Sequence, residues 1–143
     1  MSTEENKAVV RRLLQDVWNR GDLDRLVEIV APQFIRHGPM PEDETRGPQG
    51  VGALISAYRA TYPDLRVTVE DQIAEGSLVV TRWAASGTHR GELMGIAPTG
   101  RQIAVPGVIV DRIGAGKIEV EWAYYDAMRM FRQLGVAPPV GRG

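Results

Sequence analysis

Cysteine is absent from this 143-residue chain, which excludes disulfide stapling, thiolate nucleophiles, zinc ribbons and iron–sulfur clusters. Histidine is nearly absent as well. His37 and His89 are the only two, and they lack the i, i+4 spacing of a helical metal pair, so no metal is expected. Nothing approaches the ~20 consecutive apolar residues of a membrane span, and the N-terminus MSTEENKAVVRRLL is charged, with no uninterrupted apolar core. No membrane partner is expected, and the chain reads as soluble and cytoplasmic. A surplus of one charge is missing too: 17 Lys plus Arg stand against 18 Asp plus Glu, with no block of like sign. A nucleic-acid partner is therefore not expected.

What the sequence does contain is two periodicities. From residue 4 to 19, Val9/Val10, Leu13/Leu14 and Val17/Trp18 recur every four residues, the stripe of an amphipathic helix, with Ser2 and Glu5 as a capping box and Gly21 as a stop. A second helix is expected at once, with Asp22 as cap, Leu23, Leu26, Val27 and Val30 on one face and Pro32 as terminator. A short extended piece, Phe34 to His37, leads into a loop from Gly38 to Pro48 that carries three prolines and three acids. Val51, Leu54, Ile55 and Tyr58 mark a third helix, closed by Tyr62 and Pro63.

The second half alternates with period two. Strands are expected over Leu65 to Glu70, Leu78 to about His89, about Gln102 to Arg112, and KIEVEWAYY after the turn Gly114, Ala115, Gly116. Pro106 and Gly107 are expected to form a bulge or an edge irregularity. A short last helix with Met130, Phe131 and Leu134 as contacts precedes a flexible Gly/Pro-rich tail at about 136–143.

Three helices followed by four antiparallel strands predict a single α+β domain over 1–143, its helices gathered on one face of a curved sheet. Bent strongly, such a sheet is a cone with an apolar base and an open mouth. Polar residues of inward parity are then candidates for orienting a ligand. In the last strand Ile118, Val120, Trp122, Tyr124 and Asp126 share one parity and alternate with Lys117, Glu119, Glu121, Ala123 and Tyr125. The first set is the more apolar and is expected inside, which leaves Glu119 and Glu121 on a solvated or subunit-contact face. Asp126 would end the inward row beside Trp122 and Tyr124, where removal from water raises a carboxyl pKa and suits it to proton exchange near neutral pH.

The segments WNRGDLDRLVEIVAPQFIRHGP, YPDLRVTVEDQIAEGSLVVTRW, GTHRGELMGIAPTG and GKIEVEWAYYDAMRMFRQLG, from about Ala8 to Gly135, together resemble the SnoaL-like polyketide cyclase family. That family lies within the superfamily of nuclear transport factor-like and ketosteroid isomerase-like α+β cones. The resemblance implies closure of an aromatic polyketide ring by intramolecular aldol condensation without metal or cofactor, with an aspartate matching Asp126 as general acid and base. Asp126 and His37 are accordingly the expected catalytic residues. His89 and Arg82 are expected to bind or polarise the oxygens on which charge develops, and Trp122, Trp83 and Tyr58 to contact the ligand. The expected partners are a small hydrophobic carbonyl-containing ligand and further copies of the chain, as a homodimer or homotetramer.

Each of these residues also has a plainer role. Asp126 stands where a strand passes into a helix, and Asp is among the best N-caps. His37 and His89 lie at strand ends, where exposed polar residues are ordinary. Arg82 is mid-strand: inward it needs a partner such as Asp126 or an anion, outward it is a surface charge. Trp18, Trp83 and Trp122 fit a core or an interface as readily as a pocket. The segment GELMGIAPTG, apolar for a loop, either covers the pocket mouth or packs on another subunit. Two other functions stay open: a hydroxylase or hydrolase acting on a related apolar ligand, and a non-catalytic small-molecule-binding or dimerisation module.

Overall fold

A computed structural model of the chain describes residues 2–40 and 43–137; the expected tail from 138 onward lies outside the described residues. Helix α1 (Thr3–Arg12) begins at the expected capping box, in which Ser2 Oγ accepts from the Glu5 N–H and Glu5 Oε1 accepts from the Ser2 N–H, each at 3.1 Å. It continues as a π-helical stretch, Leu13–Asn19, and ends before Gly21, whose φ of 73° is the left-handed geometry that glycine adopts without strain. Val9, Val10, Leu13, Leu14 and Val17 are buried as the periodicity requires.

The expected second helix is shorter than its pattern. A 3-10 turn (Leu23–Arg25) and a single α turn, α2 (Leu26–Ile29), give way at Val30 to strand β1 (Val30–His37). Pro32 therefore lies in a strand. The pairing of β1 is irregular there, with Val30 opposite Ile118 but Ile35 already opposite Val120, so the missing N–H falls in a stretch without regular ladder pairing.

Strand β2 (Thr45–Arg46), helix α3 (Gly47–Thr61) and strands β3 (Arg66–Glu75), β4 (Leu78–Thr88), β5 (Gln102–Gly114) and β6 (Lys117–Tyr125) follow, with α4 (Ala127–Leu134) last. The fold class is α+β as expected, but the sheet is larger and mixed: six strands in the order β2-β1-β6-β5-β4-β3, with β1 parallel to β6 and the other pairs antiparallel. The extended piece before the loop is thus a central strand. Its insertion sets Arg36 opposite Glu121 and His37 opposite Trp122.

The irregularity expected at Pro106 and Gly107 is elsewhere. The β4–β5 register runs unbroken through Ala84↔Pro106 and Trp83↔Gly107, and Pro106 lies just past the end of the β5–β6 pairing at Gly107. Between β5 and β6 the register slips by one residue, with Arg112 opposite Val120 but Ile113 opposite Ile118, which leaves Glu119 as the extra residue of a bulge. A one-residue slip exchanges the two faces of a strand. Ile118 is interior on one side of the bulge, whereas Glu121 and Ala123 are interior on the other, and Val120, Trp122, Tyr124 and Asp126 turn outward. The inward row expected in the last strand is therefore corrected.

The helices and the inner sheet face enclose two adjoining apolar clusters. One is built on α1, α3 and the sheet around Phe34, Ile55, Val79 and Ile109. The other is built on Tyr62, Leu93, Ile103, Met130, Phe131 and Leu134. No helix among the described residues is long and apolar enough to cross a membrane.

Candidate active site

Between the two clusters lies a chamber of about 80 Å³, partly open to solvent. Aromatic and aliphatic groups make most of its wall, including Trp18 from the π-helical stretch, Tyr58 from α3, Trp83 from β4 and Met130 from α4. Trp83 lies against Gly107, where any Cβ would collide with the indole, so glycine at that point of β5 lets the ring lie close to the sheet. The charged residues of the wall are Arg36 and Glu121.

Arg36 and Glu121 meet through the parallel pairing. Arg36 Nε donates to Glu121 Oε1 at 3.3 Å, and Arg36 Nη1 donates to the Asp43 carbonyl at 3.2 Å. Asp43 is itself buried, and its carboxyl accepts long bonds from Tyr58 at 3.5 Å and Tyr125 at 3.4 Å, while the two phenol oxygens stand 3.0 Å apart. Behind Glu121, Asp111 on β5 is its direct cross-strand partner and is completely buried. Among the described residues, three buried carboxyls thus share a low-dielectric interior with one guanidinium. Burial raises Asp43 above the usual carboxylate range against the opposing pull of Arg36. It raises Asp111 much further, aided by the charge of Glu121 and a hydrogen bond to it. Burial likewise pushes Tyr125 up to about 12, and Tyr58 and Tyr62 above the ordinary phenol range, so all three are neutral donors at physiological pH.

The expected site residues divide sharply. Tyr58 and Trp83 are in the chamber wall; the others are not. Asp126 is exposed and caps α4, accepting from the Arg129 N–H at 3.0 Å and pairing with its guanidinium at 3.5 Å. Its interior placement is corrected by the bulge, which gives that role to the neighbouring Tyr125. Trp122 and His37 stack on each other on the outer sheet face, 6.2 Å between ring centroids, with the Arg112 guanidinium 5.4 Å above the indole. Arg82 is also outward, held in a two-pronged pair with Asp71 on β3 at 2.8 and 2.9 Å rather than by Asp126.

His89 is fully buried but does not line the chamber. Its Nδ1 accepts from the Thr99 N–H at 3.1 Å and meets Thr99 Oγ1 at 3.0 Å, which folds the loop from 89 to 100 back on itself. That loop is anchored at its start and at Leu93, while Met94, Gly95, Ala97 and Pro98 are exposed. The Arg90 and Gly91 N–H groups donate to the Thr61 carbonyl at the end of α3, and Leu93 is buried in the second cluster behind Tyr62 and Met130.

Sequence reading missed Arg36, Asp43, Tyr62, Asp111, Glu121 and Tyr125. One signal was there. On β5, Ile103, Val105, Ile109 and Ile113 share the parity of Asp111, which marks it as an acid on an otherwise apolar face.

A bent sheet closed by helices over an apolar chamber, with the buried Glu121 carboxyl and Arg36 in its wall, defines the class: an α+β fold with a pocket for a small molecule. The chain belongs to the SnoaL-like polyketide cyclase family, which matches residues 8–134. It is 28% identical over 145 residues to the aklanonic acid methyl ester cyclase DnrD of Streptomyces peucetius, covering 100% of this chain and 98% of that protein. Among solved structures it is similar to wild-type IdmH from Streptomyces antibioticus, with 33% identity, a TM-score of 0.80 and coverage of 92% of this chain and 99% of that one. It is also similar to TsrD from Streptomyces laurentii, with 28% identity, a TM-score of 0.85 and coverage of 96% and 99%.

Proposed function

We propose that this protein is a polyketide cyclase that closes a carbocyclic ring by intramolecular aldol condensation, with Glu121 as the acid–base group. The observation that carries the reading is a carboxylate only 2% exposed in the wall of an apolar chamber, bound on one oxygen by Arg36. Its kinship with methyl ester cyclases supports a carbonyl-rich polyketide, and specifically a methyl ester of the aklanonic acid type, as substrate.

The reaction balances within the substrate. Glu121 takes a proton from the carbon between two carbonyls, that carbon bonds to the acceptor carbonyl carbon, and the resulting alkoxide recovers the proton from Glu121. No electrons enter or leave, so the step calls for neither oxidant nor cofactor. Of the two phenol protons in the Tyr58–Tyr125–Asp43 network, one can turn from Asp43 to an oxygen on which charge develops while the other keeps the network joined. A chamber of about 80 Å³ is well below the ~300–1,000 Å³ of pockets that enclose a drug-sized ligand, so a polycyclic substrate enters with its reacting end. Holding that end folded contributes an entropic share of the acceleration.

The test is turnover of aklanonic acid methyl ester by three proteins. Wild type should cyclise it, Glu121→Gln should lose about 10²- to 10⁴-fold in kcat, and Asp126→Asn should match wild type. Full activity in the Gln variant, or a collapse confined to the Asp126 variant, rejects Glu121 as the acid–base group.

A further inference from the structure

Asp111 is a carboxyl that the proposed reaction does not use and the core does not need. It lies between Ile109 and Ile113 on the inward face of β5, where a third branched aliphatic would pack, and it is 0% exposed. Neither of its oxygens receives a bond from any N–H or O–H donor among the described residues, and Oε2 of Glu121 has none either. The two side chains are direct partners across β5 and β6, so that the unpartnered Oε2 of Glu121 and the unpartnered oxygens of Asp111 lie on the same inward face. Two ionised carboxylates so placed would repel each other in a medium that screens little, whereas one proton between them turns the contact into a charge-assisted hydrogen bond. The groups that face the pair are few. Arg36 on β1 binds the other oxygen of Glu121, and beyond Arg36 lie Asp43, Tyr58 and Tyr125.

We propose that Asp111 is a positioning residue for Glu121: it keeps a proton and donates it to Oε2, so that the Glu121 carboxylate is held on one side by Asp111 and on the other by Arg36. This rests on the reading of Glu121 as the acid–base group. The proton of Asp111 is not consumed. It fixes the rotamer of the working carboxylate at the chamber wall, where a free glutamate would swing among several. It also removes the repulsion that would otherwise drive the two side chains apart.

The proton can be read without any substrate. Infrared spectra of the folded wild-type protein at neutral pH should contain the carbonyl stretch of a buried protonated carboxylic acid. Asp111→Asn should delete it, while Glu121→Gln and Asp126→Asn should retain it. Turnover of aklanonic acid methyl ester supplies the second readout. Asp111→Asn, whose amide can donate the same bond, should stay within about threefold of wild type, whereas Asp111→Val should lose about 10- to 100-fold in kcat with little change in KM, the worth of one hydrogen bond to a charged group. A wild-type spectrum with no band that Asp111→Asn removes overturns the proposal, and so does an Asp111→Val protein that turns over normally. If the Val variant does not fold, the spectra and the Asn variant decide. An undiminished Glu121→Gln enzyme defeats the reading beneath it, a failure told apart because the band from Asp111 would still be present.

Discussion

Asp126 illustrates how one residue type serves two demands that a sequence does not separate. Its carboxylate accepts the Arg129 N–H and sits 43% exposed in a surface ion pair, which is the work of an N-cap. Asp126→Ala should therefore lower stability by about 1 kcal/mol in denaturant titration and leave turnover unchanged. A loss of turnover at full stability would return the residue to the chemistry. Glu121, by contrast, has no local signature. It reads as a charged residue in an alternating strand, and only its partners Arg36 and Asp111, 85 and 10 positions away, make it an acid–base candidate.

Among the elements, β5 and β6 decide what the chamber contains. The hairpin between them turns through Ala115 and Gly116, both with positive φ at 50° and 78°, and the bulge at Glu119 follows directly. That extra residue exchanges Trp122, Tyr124 and Asp126 for Glu121, Ala123 and Tyr125 on the inner face. Gly107 does the complementary work on β5 by admitting the Trp83 ring. Gly107→Ala should displace that ring at a cost of about 1–3 kcal/mol, visible as a lower melting temperature and an altered tryptophan emission. Unchanged values for both would mean the indole does not need the gap. Strands β3 to β6, the capping box and the apolar face of α4 were legible, because each depends on residues within a few positions of one another; the extent of β1 and the existence of β2 were not. The bulge was not, since β6 alternates cleanly either way.

For the whole molecule, the buried acids tie stability to pH. Asp111 and Asp43 are both held above their ordinary pKa by burial, so the folded state keeps protons that the unfolded chain releases. Their contribution is fully present below the ordinary carboxyl pKa and is lost as pH rises through the raised folded values. Unfolding free energy should fall across that window by up to about 1.4 kcal/mol per pH unit for each full proton. In urea titrations at pH 5 and pH 8 the wild type should lose more stability between the two than Asp111→Asn, which lacks one of these protons. Equal losses would show that Asp111 is ionised in the folded protein.

Periodicity, capping and turn chemistry act over short distances along the chain, so the α+β class, the helical first half, the four strands of the second half and the family were readable from residues near one another. Tertiary structure alone decided which face of β6 looks inward and that β1 would lie parallel beside it. The first arises from the register between adjacent strands β5 and β6 and the second from packing between segments some 85 residues apart, and together they place Arg36, Glu121 and Asp111 in the dry interior.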